Sequence, residues 1–177
     1  MAKLKIGDKA IPFSLPGVDD QEHSLADYTG NKAVAVIFSC NHCPYVQAWE
    51  DRMIRIQADY AGKGAQLIAI SANDAQKYPD DSFPSMKARA RDRSFNFPYL
   101  YDESQEAARL YGAERTPEVF LFDNKGVLRY HGAIDDNYDE PDAVKNHYLR
   151  DALEAVLAGQ VPSVTETPPV GCTIKWK

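Results

Sequence analysis

Apolar residues run without interruption from Ala33 to Phe38, and AQLIAISAN, Ala65 to Asn73, is a second largely apolar segment of the same type. Such runs predict strands buried on both faces. Between them Val46, Trp49, Met53, Ile56 and Tyr60 recur at spacings of three and four. That spacing winds one apolar stripe along a helix, which Gly62 and Gly64 close. Strand, helix and strand in this order imply parallel neighbours in one sheet.

The flanking segments extend this core. FSLPGVDDQEHSLADYTGNK places short apolar pieces between the turn signals Pro16-Gly17, Asp19-Asp20 and Gly30-Asn31, predicting a short N-terminal β-hairpin. After Pro79 and Pro84 a charged stretch reads as helical, Pro98 to Asp102 as extended, and Ser104 to Tyr111 as a helix stopped by Gly112. In TPEVFLFDNKGVLRYHG two apolar runs meet at Asp123-Asn124-Lys125-Gly126, a hairpin turn. Ala143 to Leu157 carries apolar residues at Val144, Tyr148, Leu149, Ala152, Leu153, Val156 and Leu157, a closing helix that Gly159 ends. The pattern predicts an α/β fold whose central mixed β-sheet has helices on both faces. Residues 1–159 are expected to form the domain and 160–177 a C-terminal tail packing back on it.

The 177-residue length suits one core. With 44% apolar and 26% charged residues the composition is that of an ordinary globular chain. Twenty Lys and Arg against 26 Asp and Glu leave a net charge of −6, and the basic residues are scattered apart from KARARDR, Lys87 to Arg93. A nucleic-acid partner would need a basic stripe, so that class is disfavoured. No window approaches the ~18 apolar residues of a membrane span, and MAKLKIGDKAIPFSL lacks an apolar signal core. A cytoplasmic protein with no membrane partner is expected. In a reducing compartment, three cysteines are too few for a disulfide framework, and a close pair points to catalysis or metal.

That pair lies in FSCNHCPYV, where the predicted strand gives way to the predicted helix. Disulfides are attacked by thiolates, and a free thiol with a pKa near 8.5 is mostly protonated at neutral pH. At a helix N-terminus the unpaired N–H groups favour an anion. His42 could add a cation, and together these would bring the Cys40 pKa into the range of about 3.5 to 7.5. Cys43, one turn along, can attack a mixed disulfide formed at Cys40. Pro44 fits the first helical turn, where no intrahelical hydrogen bond is lost. A metal or cluster carrier is an alternative reading of C-x-x-C, but structural zinc wants four soft ligands. Only Cys172 and four histidines remain, none at a paired spacing, and neither metal nor cofactor is expected.

With CNHC at a strand-to-helix junction and Thr116-Pro117 opening a later strand, the chain resembles the thioredoxin superfamily, specifically its thioredoxin-like or redoxin branch, near the TlpA/ResA-type and AhpC/TSA proteins. The resemblance covers roughly Ile6 to Gly159 and includes the N-terminal GDKAIPFSL. It implies a thioredoxin-like fold, a cis Thr116-Pro117 bond against the dithiol, and a Thr116 backbone that pairs with an extended substrate. It also implies that Cys40 is the exposed nucleophile and Cys43 the shielded resolving thiol. The expected activity is thiol-disulfide exchange on a protein or small-molecule disulfide, with a thioredoxin or glutathione type electron donor. Thioredoxin itself carries a buried acid six residues before the first cysteine, where this chain has Val34, and an aromatic residue where it has Ser39. The proton acceptor is therefore open. Glu118, beside Pro117, is a candidate but is expected to face solvent.

A thiol peroxidase of the peroxiredoxin, AhpC/TSA antioxidant kind is the alternative within the same family. Its pattern P-x-x-x-T/S-x-x-C fails from Cys43, where the two places hold Val36 and Cys40, and from Cys40, where they hold Ala33 and Ile37. The arginine of peroxiredoxins at the later strand is replaced by Pro117. The acidic run Asp135 to Glu140 lacks the glycine and spacing of a calcium loop and reads as a solvated loop. The tail ends in PPVGCTIKWK, whose Val170, Ile174 and Trp176 alternate partly as in a strand. Thirteen steps from Gly159 to Cys172 span roughly 43 Å when extended. Cys172 can therefore reach the dithiol, either as a third redox cysteine or as a buried apolar anchor.

Overall fold

The structure, a computed structural model, describes residues 4–177. A short hairpin of β1 (Ser14–Pro16) and β2 (Glu22–Ser24) precedes β3 (Ala33–Ser39), which leads through Cys40 to Cys43 into α1 (Pro44–Tyr60). There follow β4 (Ala65–Ser71), α2 (Phe83–Asp92), β5 (Tyr99–Tyr101), α3 (Glu106–Tyr111), the two-residue β6 (Arg115–Thr116) and the hairpin of β7 (Glu118–Asp123) and β8 (Leu128–Gly132). Helix α4 (Tyr148–Leu157) and a tail containing β9 (Cys172–Thr173) complete the chain. The central sheet has the order β5-β4-β3-β7-β8, parallel from β3 to β5 and antiparallel across β3, β7 and β8. This is the mixed sheet and thioredoxin-like arrangement expected from the sequence.

Every residue of β3 is buried, as its unbroken apolar run required. Side chains alternate across a strand. Ala33, Ala35 and Ile37 pack with Trp49, Met53, Ile56 and Tyr60 of α1 and with Leu149 and Leu153 of α4. Val34, Val36 and Phe38 face Ala107, Ala108 and Tyr111 of α3. Helices thus cover both faces. Each fully buried large apolar side chain contributes about 1.5–3 kcal/mol, and Ile37→Ala in this layer would cost about 2–5 kcal/mol.

Helix α4 starts later than its apolar spacing predicts. Residues Pro141–Ala143 form a single 3-10 turn, and Val144 is extended. The Asp136 carboxylate accepts hydrogen bonds from the Lys145 and Asn146 amides at 3.0 and 3.1 Å, holding the intervening segment as a loop. The acidic run is also less solvated than expected. Asp135 is buried and accepts hydrogen bonds of 2.9 and 2.7 Å from Arg52 of α1 and one of 2.9 Å from the Asn137 amide. The β7–β8 turn forms where DNKG predicts it, with Gly126 at φ 74° and Asp123 accepting from the Lys125 and Val127 amides.

Both outer strands of the sheet meet further chain. Val18 donates to the Tyr99 carbonyl of β5 at 3.0 Å. Along β8, the His131 amide donates to Thr165 and the Thr167 amide to His131, both at 3.0 Å. Beyond Pro169 the tail crosses to the end of the sheet where β3 runs into α1. There β9 pairs antiparallel with β6, setting Thr116 opposite Cys172. It ends where Lys175 exchanges hydrogen bonds with the Asn73 side chain and the Asp74 amide.

Candidate active site

The loop after β3 is held from three sides through Asn41. Its amide donates to Asp81 at 2.7 Å, its side-chain NH2 to the Asp80 carbonyl at 2.9 Å, and its side-chain oxygen accepts from Tyr99 at 2.8 Å. Cys43 is the cap residue of α1 with extended backbone, and Pro44 opens the first turn. Cys40 and Cys43 therefore stand at the strand-to-helix junction. Opposite them is Thr116, whose bond to Pro117 is cis, as the family resemblance implied. Its hydroxyl lies 3.6 Å from Cys40 Sγ and its carbonyl 3.6 Å from Cys43 Sγ.

Both sulfurs are covered, with Cys40 2% and Cys43 1% exposed, so the expected exposed position of Cys40 is not found. The cover is the tail. Cys172 packs against Cys40, Cys43, Val46 and Tyr45, and is itself partly exposed. A β-carbon on Gly171 would fall 1.9 Å from the Thr116 carbonyl oxygen, so only glycine permits this approach. All three cysteines carry unbonded sulfurs.

The two sulfurs are shifted in opposite directions. The neighbouring Cys40 thiol, working against burial, holds Cys43 down to about 4. The Cys172 thiol and the Val46 and Cys172 amides act in the same direction on this sulfur. The Thr116 carbonyl is an acceptor and works the other way. Cys40 is pushed up, first by giving its proton to this shared hydrogen bond, then by burial and by the charge of Asp81. Cys172 is raised to about 11 by burial and by its hydrogen bond to Cys43, with the Tyr45 amide partly offsetting this. Two adjacent buried thiolates would repel, so the pair carries at most one negative charge between its two sulfurs at neutral pH.

His42 does not point its charge at the sulfurs. Its Nδ1 lies 2.6 Å from Asp81 and its ring stacks on Tyr78. Asp81 is fully buried and also accepts from the Asn73 side chain at 2.9 Å. Nothing in the local sequence PDDS singles it out, since its role arises from a loop 40 residues away folding over the cysteines.

Glu118 is buried too, contrary to its expected solvent position. Its carboxylate accepts from the Glu114 and Arg115 amides, both at 2.9 Å, and lies 2.6 Å from His131 Nε2. Glu166 from the tail lies 3.2 Å from the other ring nitrogen. Burial alone would lower the His131 pKa, but Glu118 and then Glu166 overcome it and raise it. This cluster fixes β6 and hence Thr116. The basic group of α2 is likewise engaged: Arg89 and Arg93 pair with Glu50 of α1. No helix is long and apolar enough to cross a membrane, and no group of three or more His, Cys, Asp or Glu is arranged to hold a metal among the described residues.

The AhpC/TSA family model matches residues 6–131. A putative peroxiredoxin of Mycobacterium tuberculosis is 27% identical over 136 residues, 76% of this chain and 81% of the relative. The thiol-disulfide oxidoreductase ResA of Geobacillus thermodenitrificans is 23% identical over 126 residues, 71% of this chain and 68% of its own. A crystal structure of an uncharacterized conserved protein from Geobacillus kaustophilus superposes with a TM-score of 0.93 at 39% identity, covering 98% of this chain and 93% of that one. On this fold, this site and these matches, the chain belongs to the AhpC/TSA family, redoxins that resemble thiol-disulfide oxidoreductases and peroxiredoxins.

Proposed function

We propose that this protein is a thiol-disulfide oxidoreductase whose Cys40 and Cys43 cycle between dithiol and disulfide. The observation that carries this reading is the placing of two unbonded thiols together at the N-terminus of α1, against Thr116 and its cis bond to Pro117. A thiolate so supported is a nucleophile at neutral pH. Cys43 attacks one sulfur of a substrate disulfide, and the other substrate sulfur leaves as a thiolate. Cys40 then attacks Cys43 in the mixed disulfide, forming the Cys40–Cys43 bond and releasing the second substrate thiolate. The substrate gains two electrons and the protein loses two. These roles exchange the ones the family resemblance implied for the two cysteines.

Thr116 and Pro117 support the site as its facing wall, Pro44 as the opening of α1, and His42 as the partner of Asp81. A protein or small-molecule disulfide is the substrate class, with a thioredoxin or glutathione type donor closing the cycle in the cytoplasm. Insulin reduction with dithiothreitol tests the reading. Cys43→Ser should abolish turnover, and Cys40→Ser combined with Cys172→Ser should accumulate a mixed disulfide at Cys43. Undiminished turnover in Cys43→Ser would exclude it.

Thiol peroxidase activity is a second reading, favoured by the same lowered Cys43 pKa and by the relative named a putative peroxiredoxin. It predicts hydrogen peroxide turnover that survives Cys40→Ser and disappears in Cys43→Ser. The missing hydroxyl and arginine leave the departing oxygen without the stabilisation that peroxiredoxins supply.

A further inference from the structure

We infer that Cys172 is a relay thiol, which takes over the Cys43 end of the buried disulfide and presents it to an external dithiol at the protein surface. This rests on the dithiol reading above and extends it to the way electrons reach a covered site.

Three observations carry it. First, Cys172 is placed by backbone pairing: β9 runs antiparallel to β6 with Cys172 opposite Thr116, the residue that faces both buried sulfurs. Second, Cys172 packs against the cluster of Cys40, Cys43 and Val46, and Gly171 lets the strand come this close. Third, the sulfurs differ in access. Cys40 and Cys43 are sealed, whereas Cys172 is partly exposed. The tail is fastened on both sides of Cys172, through Thr165 and Thr167 to β8 and through Ile174 and Lys175 to Glu114, Asn73 and Asp74. The sulfur is therefore held in place before any bond forms, which raises its effective concentration.

The chemistry balances as three exchanges. Cys172, as its thiolate, attacks Cys43 Sγ in the Cys40–Cys43 disulfide. The bond between Cys40 and Cys43 breaks, and Cys40 leaves with the electron pair and takes up the proton Cys172 gave away. An external thiolate then attacks Cys172 Sγ, and Cys43 leaves as the thiolate its neighbours stabilise. In this second exchange an accessible sulfur is attacked and a low-pKa thiolate leaves, which favours the step. The second thiol of the donor attacks the mixed disulfide on Cys172, freeing Cys172, which is protonated, and carrying off the donor as a disulfide. Two electrons enter the protein.

The test uses the full chain, reduced, oxidised with one equivalent of diamide, quenched in acid, alkylated and digested. Cys40→Ser should yield a Cys43–Cys172 linked peptide as its main product. Reduction of the oxidised wild type by dithiothreitol, followed by stopped flow, should slow by on the order of tenfold in Cys172→Ser and equally in Cys172→Ala. A Cys40–Cys43 disulfide reduced at the same rate with and without Cys172, or no linked peptide in Cys40→Ser, overturns the relay alone. A wild type that forms no intramolecular disulfide overturns the relay and the dithiol reading together.

Discussion

Thr116 and Cys172 face each other across a two-residue antiparallel pair, so the backbone that walls the two buried sulfurs on one side also positions the third on the other. Gly171 makes this pairing possible. In Gly171→Ala the new methyl would meet backbone atoms of Thr116 at 1.9 and 2.6 Å, which no side-chain rotation relieves. The strand should lift from Thr116. Native-state alkylation of Cys43 should rise by on the order of tenfold, and urea denaturation should show a loss of about 1–3 kcal/mol.

The charge on Cys43 has its own signature. Its folded pKa is held down to about 4, so thiolate absorbance should be present at neutral pH and fade as the pH falls through that value. Cys43→Ser should remove the signal. Cys40→Ser should keep it, with the midpoint moved upward, because Cys40 supplies the largest of the stabilising hydrogen bonds. A signal lost with Cys40 instead would return the anion to that residue.

Asp81 ties the cysteine loop to the rest of the molecule through Asn41, Asn73 and His42. Asp81→Ala leaves the buried Asn41 amide without its acceptor and should cost about 1–3 kcal/mol in chemical denaturation. It also removes a negative charge that pushes Cys40 up. In a Cys43→Ser background, iodoacetamide labelling of Cys40 at mildly alkaline pH should therefore be faster when Asp81 is replaced by Asn.

The His131 cluster predicts a pH dependence of stability. The folded-state pKa of His131 is raised above its ordinary value of about 6.5. The ion-pair contribution is thus fully present below about pH 6.5 and is lost as the pH rises through the folded value. The unfolding free energy of the wild type should decline across that window, and His131→Gln should lack this segment of the decline. Equal slopes in the two proteins would deny His131 its charge.

The strands, α1, the DNKG hairpin and the dithiol junction were legible because each rests on local signals: an unbroken apolar run, a three-and-four spacing, turn residues, a C-x-x-C. The start of α4 was not, because the apolar spacing from Val144 was overridden by the Asp136 carboxylate, nine residues upstream of Lys145. Glu118 and Asp81 were misread or missed for a related reason. A carboxylate looks solvent-bound in sequence, and only tertiary partners such as His131 and Asn41 make its burial tolerable. The opposite shifts of Cys40 and Cys43 likewise arise first from how the fold sets the two sulfurs against each other, with Cys172, about 130 positions away, adding to the effect on Cys43.

The segments flanking the sheet have a bearing on how the protein behaves at high concentration. Exposed strand borders are templates on which other chains assemble. Here the stretch around Val18 seals one margin at Tyr99, and Thr165 to Thr167 seal the other at His131. Proteolytic trimming that removed either seal would leave a ragged ladder of unpaired amides. Shortened products should precipitate or form fibrils under conditions where the intact chain stays dispersed.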